Sequence, residues 1–150
     1  MRYTRLLASA FLIAASVSHA GAQTSKPGPD VVVAPFIVEA DNAEALRSQA
    51  AACLDQLASA LARKGVALMR DPKLSEKNLR SAPAPWAVLG RISRDKGQFQ
   101  LELRLLDVKS GDEMRSYFNS DKDLAVACRA TEKAAERIAA FVAEQRPTTP

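Results

Sequence analysis

The sequence predicts a two-layer α/β (α+β) sandwich, a five-stranded mixed sheet with two helices packed on one face, in the order β-α-β-β-β-β-α. Three observations lead to it. Residues 31–38 (VVVAPFIV) form a β-branched apolar run followed at once by a helix start signal, as expected of a strand buried on both faces. Two later segments each carry a single apolar stripe at steps of three and four, the mark of helices that bury one side. Finally, residues 98–105 alternate strictly, so one face of the sheet is apolar and the other polar. Two one-sided helices and a one-sided sheet bury their apolar surfaces together only if both helices lie on the same side.

Before the first strand, Arg2 and Arg5 precede an apolar run from Leu6 to Val17 and small residues ending in Ala20-Gly21-Ala22. This is the pattern of a secretory signal peptide over residues 1–22, cleaved after Ala22 or alternatively after Ala20. The run is too short for a stable membrane span, so no stable membrane insertion is expected after cleavage. The exported chain is then periplasmic or secreted. Of the net charge of +4, Arg2 and Arg5 supply two and the leader has no acid, which leaves about +2. The single histidine, His19, also lies in the leader, so the exported chain has no imidazole. Ser/His/Asp and Cys/His catalysis, the usual zinc sites and a histidine pH switch are thereby excluded. About 128 residues remain, enough for one domain burying roughly two thirds of its unfolded surface.

Residues 23–30 (QTSKPGPD) read as a flexible lead-in, and the domain is expected over 31–145 with a disordered tail at 146–150. After the first strand, Asp41 and Glu44 have capping-box spacing with Asp41 as cap, and Leu46, Ala50, Cys53, Leu54, Leu57 and Leu61 mark a helix of about twenty residues. Arg63, Lys64 and Gly65 fit its carboxyl end. A short strand at 66–69 completes a crossover whose two strands should be parallel. Residues 71–85 are polar, with one helical turn at 75–80 that Pro83 and Pro85 prevent from continuing. Residues 86–95 and 98–108 form a hairpin about Lys96-Gly97, and after the turn 107–112 a third strand covers 113–119. Ser120 or Asp121 then caps a helix whose stripe is Leu124, Cys128, Thr131, Ala135, Ile138 and Val142.

In that order the chain resembles the amino-terminal domain of the TolB family, with related modules in envelope lipoproteins of the CsgG and LpoB type. The residues that carry the resemblance are 31–36 before a capped helix, Gly90 within Val88-Leu89-Gly90-Arg91-Ile92, the hairpin after it, and 107–111. It covers about residues 31–143 and implies a non-catalytic protein-binding module of the bacterial cell envelope. TolB carries a β-propeller after this domain, which this sequence does not reach, so the propeller's contacts are not implied.

Candidate sites are few. Cys53 and Cys128 both lie on apolar stripes beside small residues. Exported, they either form a disulfide, stabilising the domain by roughly 4 kcal/mol in the chain-entropy model, or remain two buried thiols. The pairs Glu39 and Asp41, or Asp107 and Asp112, could in principle act as acid and base, but both sit at strand ends beside caps and turns, where acids are expected anyway. They leave open a second class, a small carboxylate-based hydrolase or ligand-binding protein. Trp86 either closes one end of the core or stacks on a ligand. No glycine-rich phosphate loop, cation loop or metal cluster is visible, so no cofactor or metal is expected. The polar sheet face should carry Arg91, Arg104, Arg115 and Tyr117, a mixed-charge docking face with one aromatic anchor for an envelope protein. One aromatic is too few for a nucleic-acid platform. An edge strand that accepts a partner's extended segment is the other expected mode of docking.

Overall fold

The computed structural model describes residues 27–147. The expected signal peptide, residues 1–22, lies outside the described residues, as do 23–26 of the lead-in and 148–150 of the tail. Strand β1 (Val31–Val33) and strand β2 (Ile37–Glu39) come from the VVVAPFIV run. Helix α1 (Ala43–Arg63), β3 (Leu68–Arg70), a 3₁₀ helix (Glu76–Ser81), β4 (Trp86–Asp95), β5 (Gln98–Asp107), β6 (Glu113–Asp121) and α2 (Leu124–Gln145) follow. One open sheet runs β3-β1-β4-β5-β6, with β2 beside β4 beyond the end of β1. β1 is parallel to both β3 and β4, whereas β4, β5 and β6 are antiparallel neighbours.

The first run is thus one strand position broken in two. Val33 pairs with Val88 and Ile37 with Arg91, so the chain advances four residues while β4 advances three. Pro35, which has no amide hydrogen to give a ladder, stands at the break. The extra residue reverses the alternation of side chains. Val31, Val33, Phe36 and Val38 face the helices, and Ile37 is turned to the opposite face. Phe36 lies flat over Gly90 of β4, where an added Cβ would come within 2.3 Å of its ring.

Both helices pack on one face. Leu46, Ala50, Cys53, Leu57 and Leu61 of α1, and Leu124, Cys128, Ala135, Ile138 and Val142 of α2, close over Val88, Ile92, Leu101, Leu103 and Leu105. Trp86 closes one end of this core, edge-on to Phe141 with ring centroids 5.0 Å apart. Cys53 and Cys128 are joined in a disulfide, their Cα atoms 5.4 Å apart. At the same seam Glu132 and Glu136 reach Arg63 and Lys64 at 3.6 and 3.4 Å.

The opposite sheet face is not bare throughout, a correction to the expected wet face. Residues 71–85 fold back over one half of it, and Leu74, Leu79 and Ala84 form a second small core with Val32, Ala87, Leu89, Leu106 and Val108. Both expected helix caps also move. α1 starts from Asn42 rather than Asp41, because residues 40–43 form a turn in which the Ala43 amide donates to the Ala40 carbonyl at 3.1 Å. α2 is capped by Asp123, whose carboxylate accepts from the Ala125 amide at 2.8 Å, because Ser120 and Asp121 stay in the β5–β6 ladder. The expected tail begins with a tethered residue. The Arg146 guanidinium donates to Asp30 at 2.5 Å and to the Gly65 carbonyl at 3.1 Å. Burial alone would raise the Asp30 carboxyl, but the hydrogen bonds from Arg146 and the Ala67 amide outweigh it and hold it below the usual carboxylate value.

Candidate docking face

The half of the sheet face left open is built from β2, β4, β5 and β6. One cross-strand row traverses it, since Ile37 pairs with Arg91, Arg91 with Glu102, and Glu102 with Phe118. Directly paired residues point to the same side, so four side chains stand in line over about 14 Å. The ends of the row are apolar and its middle is charged. Ile37 is 51 % exposed and Phe118 65 %, and the third large apolar residue standing in solvent, Met69 at 42 %, is on the same face at the β3 edge. Every exposed large hydrophobic among the described residues is therefore on one side of one sheet. Isolated exposed apolar residues need no explanation, but three confined to a single face do.

The charges of this face are partly committed. Arg91 reaches Glu39 at 3.7 Å, and Arg104 pairs with Glu76 at the start of the 3₁₀ helix. Ile37, Arg91, Glu102 and Arg104 border a narrow cleft of about 70 Å³ under that helix. Such half-exposed ion pairs contribute little to stability and are free to exchange partners.

Of the four residues expected on this face, Arg91 and Arg104 are there and Arg115 and Tyr117 are not. β6 pairs Leu106 with Glu113 but Leu105 with Arg115, so Met114 is an extra residue in a β-bulge. An unbroken ladder would have set Tyr117 opposite Glu102 on the open face. The bulge shifts the phase by one, sets Tyr117 opposite Leu103 above the helices, and turns Phe118 outward in its place. Arg115 goes with Tyr117, its guanidinium carbon 5.0 Å from the Phe141 ring centre. The Tyr117 hydroxyl is buried and has no hydrogen-bond partner among the described residues. Burial pushes its phenol up, offset in part by Arg115 and Arg137. Replacing Tyr117 by phenylalanine should therefore raise stability by about 1 kcal/mol in urea unfolding, because an unpaired polar atom leaves the interior. A loss of stability would show that the hydroxyl is bonded in solution.

Of the two carboxylate pairs, one contains a turn anchor, Asp107, and the other contains Glu39, the ion-pair partner of Arg91. Asp107 accepts from the amides of Ser110 and Lys109, each at 2.8 Å, and the Ser110 bond foremost holds its carboxyl below the ordinary value despite partial burial. Glu39 and Asp41 border an open cavity of about 470 Å³ at the hairpin tip, shared with Arg94 and Lys96. Among the described residues no three His, Cys, Asp or Glu side chains come together as metal ligands, and no helix is long and apolar enough to cross a membrane.

These features define a class, a two-layer α/β module with two helices on one side of an open sheet and an amphipathic free face on the other. Solved structures share the fold. PelC from Paraburkholderia phytofirmans, a dodecamer, superposes with a TM-score of 0.52 at 18 % identity over 71 % of this chain and 84 % of PelC. A second PelC dodecamer structure gives 0.52 at 20 % over 71 % and 85 %. TolB from Acinetobacter baumannii gives 0.51 at 16 %, covering 80 % of this chain and 29 % of TolB, so the resemblance to TolB is one of fold and spans one part of that protein. No family profile and no curated protein sequence matches the chain.

Proposed function

We propose that this chain is a non-enzymatic protein-binding module of the bacterial cell envelope, periplasmic or secreted after leader cleavage, which docks an envelope protein on its open sheet face. The observation that carries the reading is the row Ile37, Arg91, Glu102 and Phe118. Two apolar anchors flank a charged centre, and aromatic and arginine side chains commonly dominate interface energies. The fold shared with part of TolB supports the same setting. Capture of the envelope partner by the Ile37→Ser, Phe118→Ser double variant is expected to fall at least tenfold with an unchanged melting temperature. Reversal of Arg91 and Arg104 to glutamate should weaken capture further and reduce its salt dependence. Capture that withstands both sets of changes would refute the face.

A second reading, assembly with further copies of this chain, is favoured by the dodecameric state of the PelC structures. Sedimentation separates the two. A monomer at micromolar concentration supports a foreign partner, and a closed oligomer dispersed by the Phe118 substitution supports self-assembly.

A further inference from the structure

The edge of the sheet at β6 has a chemistry of its own. Of the free edges, β2 and β3 are three residues long, whereas β6 presents nine residues and ends the strand order. Exposed edges are normally blunted by charge, proline or brevity. The centre of β6, Ser116 to Asn119, carries no charge and no proline. Beside it runs α2, and between the two lies a groove of about 330 Å³ lined by Tyr117, Phe118, Ala130, Lys133, Ala134 and Arg137 among others. Its lining holds two cations and no acid. The acids of α2 are turned away, with Glu132 and Glu136 engaged by Arg63 and Lys64 of α1. Neither Lys133 nor Arg137 has a carboxylate within salt-bridge distance among the described residues. In the other large cavities, by contrast, cations and acids are mixed or the single cation, Arg47, is paired with Glu44.

We propose that β6 and α2 together bind an extended acidic segment of the partner protein, added to the sheet as a further strand with alternate carboxylates on Lys133 and Arg137. This rests on the docking-module reading and names the chemistry of one partner segment. The free ladder groups of β6 supply main-chain hydrogen bonds, as in other strand-addition sites. Lys133 and Arg137 stand one helical turn apart, about 6 Å along the axis. Alternate side chains of a strand are spaced by about 6.7 Å, so acids at i and i+2 match them. A second copy fits less well. Two-fold pairing of β6 with β6 would bring two Lys133–Arg137 rims together, and the apolar cavity beside β2 offers no free acid to them.

The test uses fluorescence anisotropy with labelled ten-residue peptides, one alternating glutamate and threonine, one alternating glutamine and threonine, and one glutamate peptide N-methylated at every second amide. Saturable binding of the glutamate peptide is expected, at least tenfold tighter than the other two. It should weaken at least tenfold in Lys133→Glu, Arg137→Glu and stay unchanged in Lys109→Glu, an exposed turn position outside both faces, all with unaltered thermal unfolding. Equal binding of the glutamate and glutamine peptides overturns the proposal. So does equal binding of the N-methylated peptide, which would leave only charge attraction, or indifference to the double reversal. A dimer strengthened by that reversal assigns the edge to a second copy and also overturns it. Should partner capture depend on Ile37 and Phe118 while no peptide binds, this inference fails and the sheet-face reading stands; peptide binding with capture indifferent to those residues gives the reverse.

Discussion

Reducing the Cys53–Cys128 bridge, or replacing both cysteines by alanine, is expected to lower the unfolding free energy by about 4 kcal/mol. The bond joins residues 75 apart in sequence, so it closes a loop containing half of the chain and removes correspondingly many conformations from the unfolded state. Set against a usual total of roughly 5 to 15 kcal/mol for a domain, that is a large share. The bridge also lies at the α1–α2 seam, where it adds to the apolar packing of the two stripes and to two exposed ion pairs of slight value. Urea unfolding with and without reductant measures the difference. Coincident midpoints would show that the helices are held by packing alone. By the same linkage the domain is less stable under reducing conditions than under oxidising ones.

The second large effect is expected at Gly90. An alanine there would place its Cβ 2.3 Å from the Phe36 ring, which belongs to the buried core and follows directly on the break at Pro35. Overpacking of this kind typically costs 1 to 3 kcal/mol, and a contact this close belongs near 3. The cost is specific to the pair. Phe36→Leu alone should be mildly destabilising, and Gly90→Ala should be much less harmful in its presence, giving a coupling of at least 1 kcal/mol in a double-mutant cycle. Additive effects would contradict the close approach. This contact gives the glycine between Leu89 and Arg91 a physical reason: β4 has room for no side chain where the broken first strand drops an aromatic ring onto it.

Much of this architecture is legible in the residues. The strict alternation of 98–105 set β5 correctly, and the stripes of α1 and α2 and the placement of the two cysteines on them match the buried faces. Two local phase shifts were not legible. In β6, Tyr117 and Phe118 are adjacent, so either can face out, and only the bulge at Met114 decides. In the first run, Pro35 marked an end of pairing but not the extra residue that turns Ile37 outward. Both shifts act alike, each rotating one large apolar side chain from the core side to solvent, so simple alternation sets Arg115 and Tyr117 on the wrong face and hides Ile37 and Phe118 in the core. Such bulges re-aim side chains at the cost of ladder hydrogen bonds, and their shared outcome is the amphipathic row. The cover formed by 71–85 leaves no periodic signal, because its apolar residues, Leu74, Leu79 and Ala84, are too sparse.

Site-specific photo-cross-linking in intact cells tests the central claim most directly. A photoreactive residue at position 118 or 37 should give one discrete adduct with an envelope protein, whereas the same residue at Gln56 or Glu132, exposed on the helical side, should give none. Adducts from the helix positions with none from 118 and 37 would contradict the docking face.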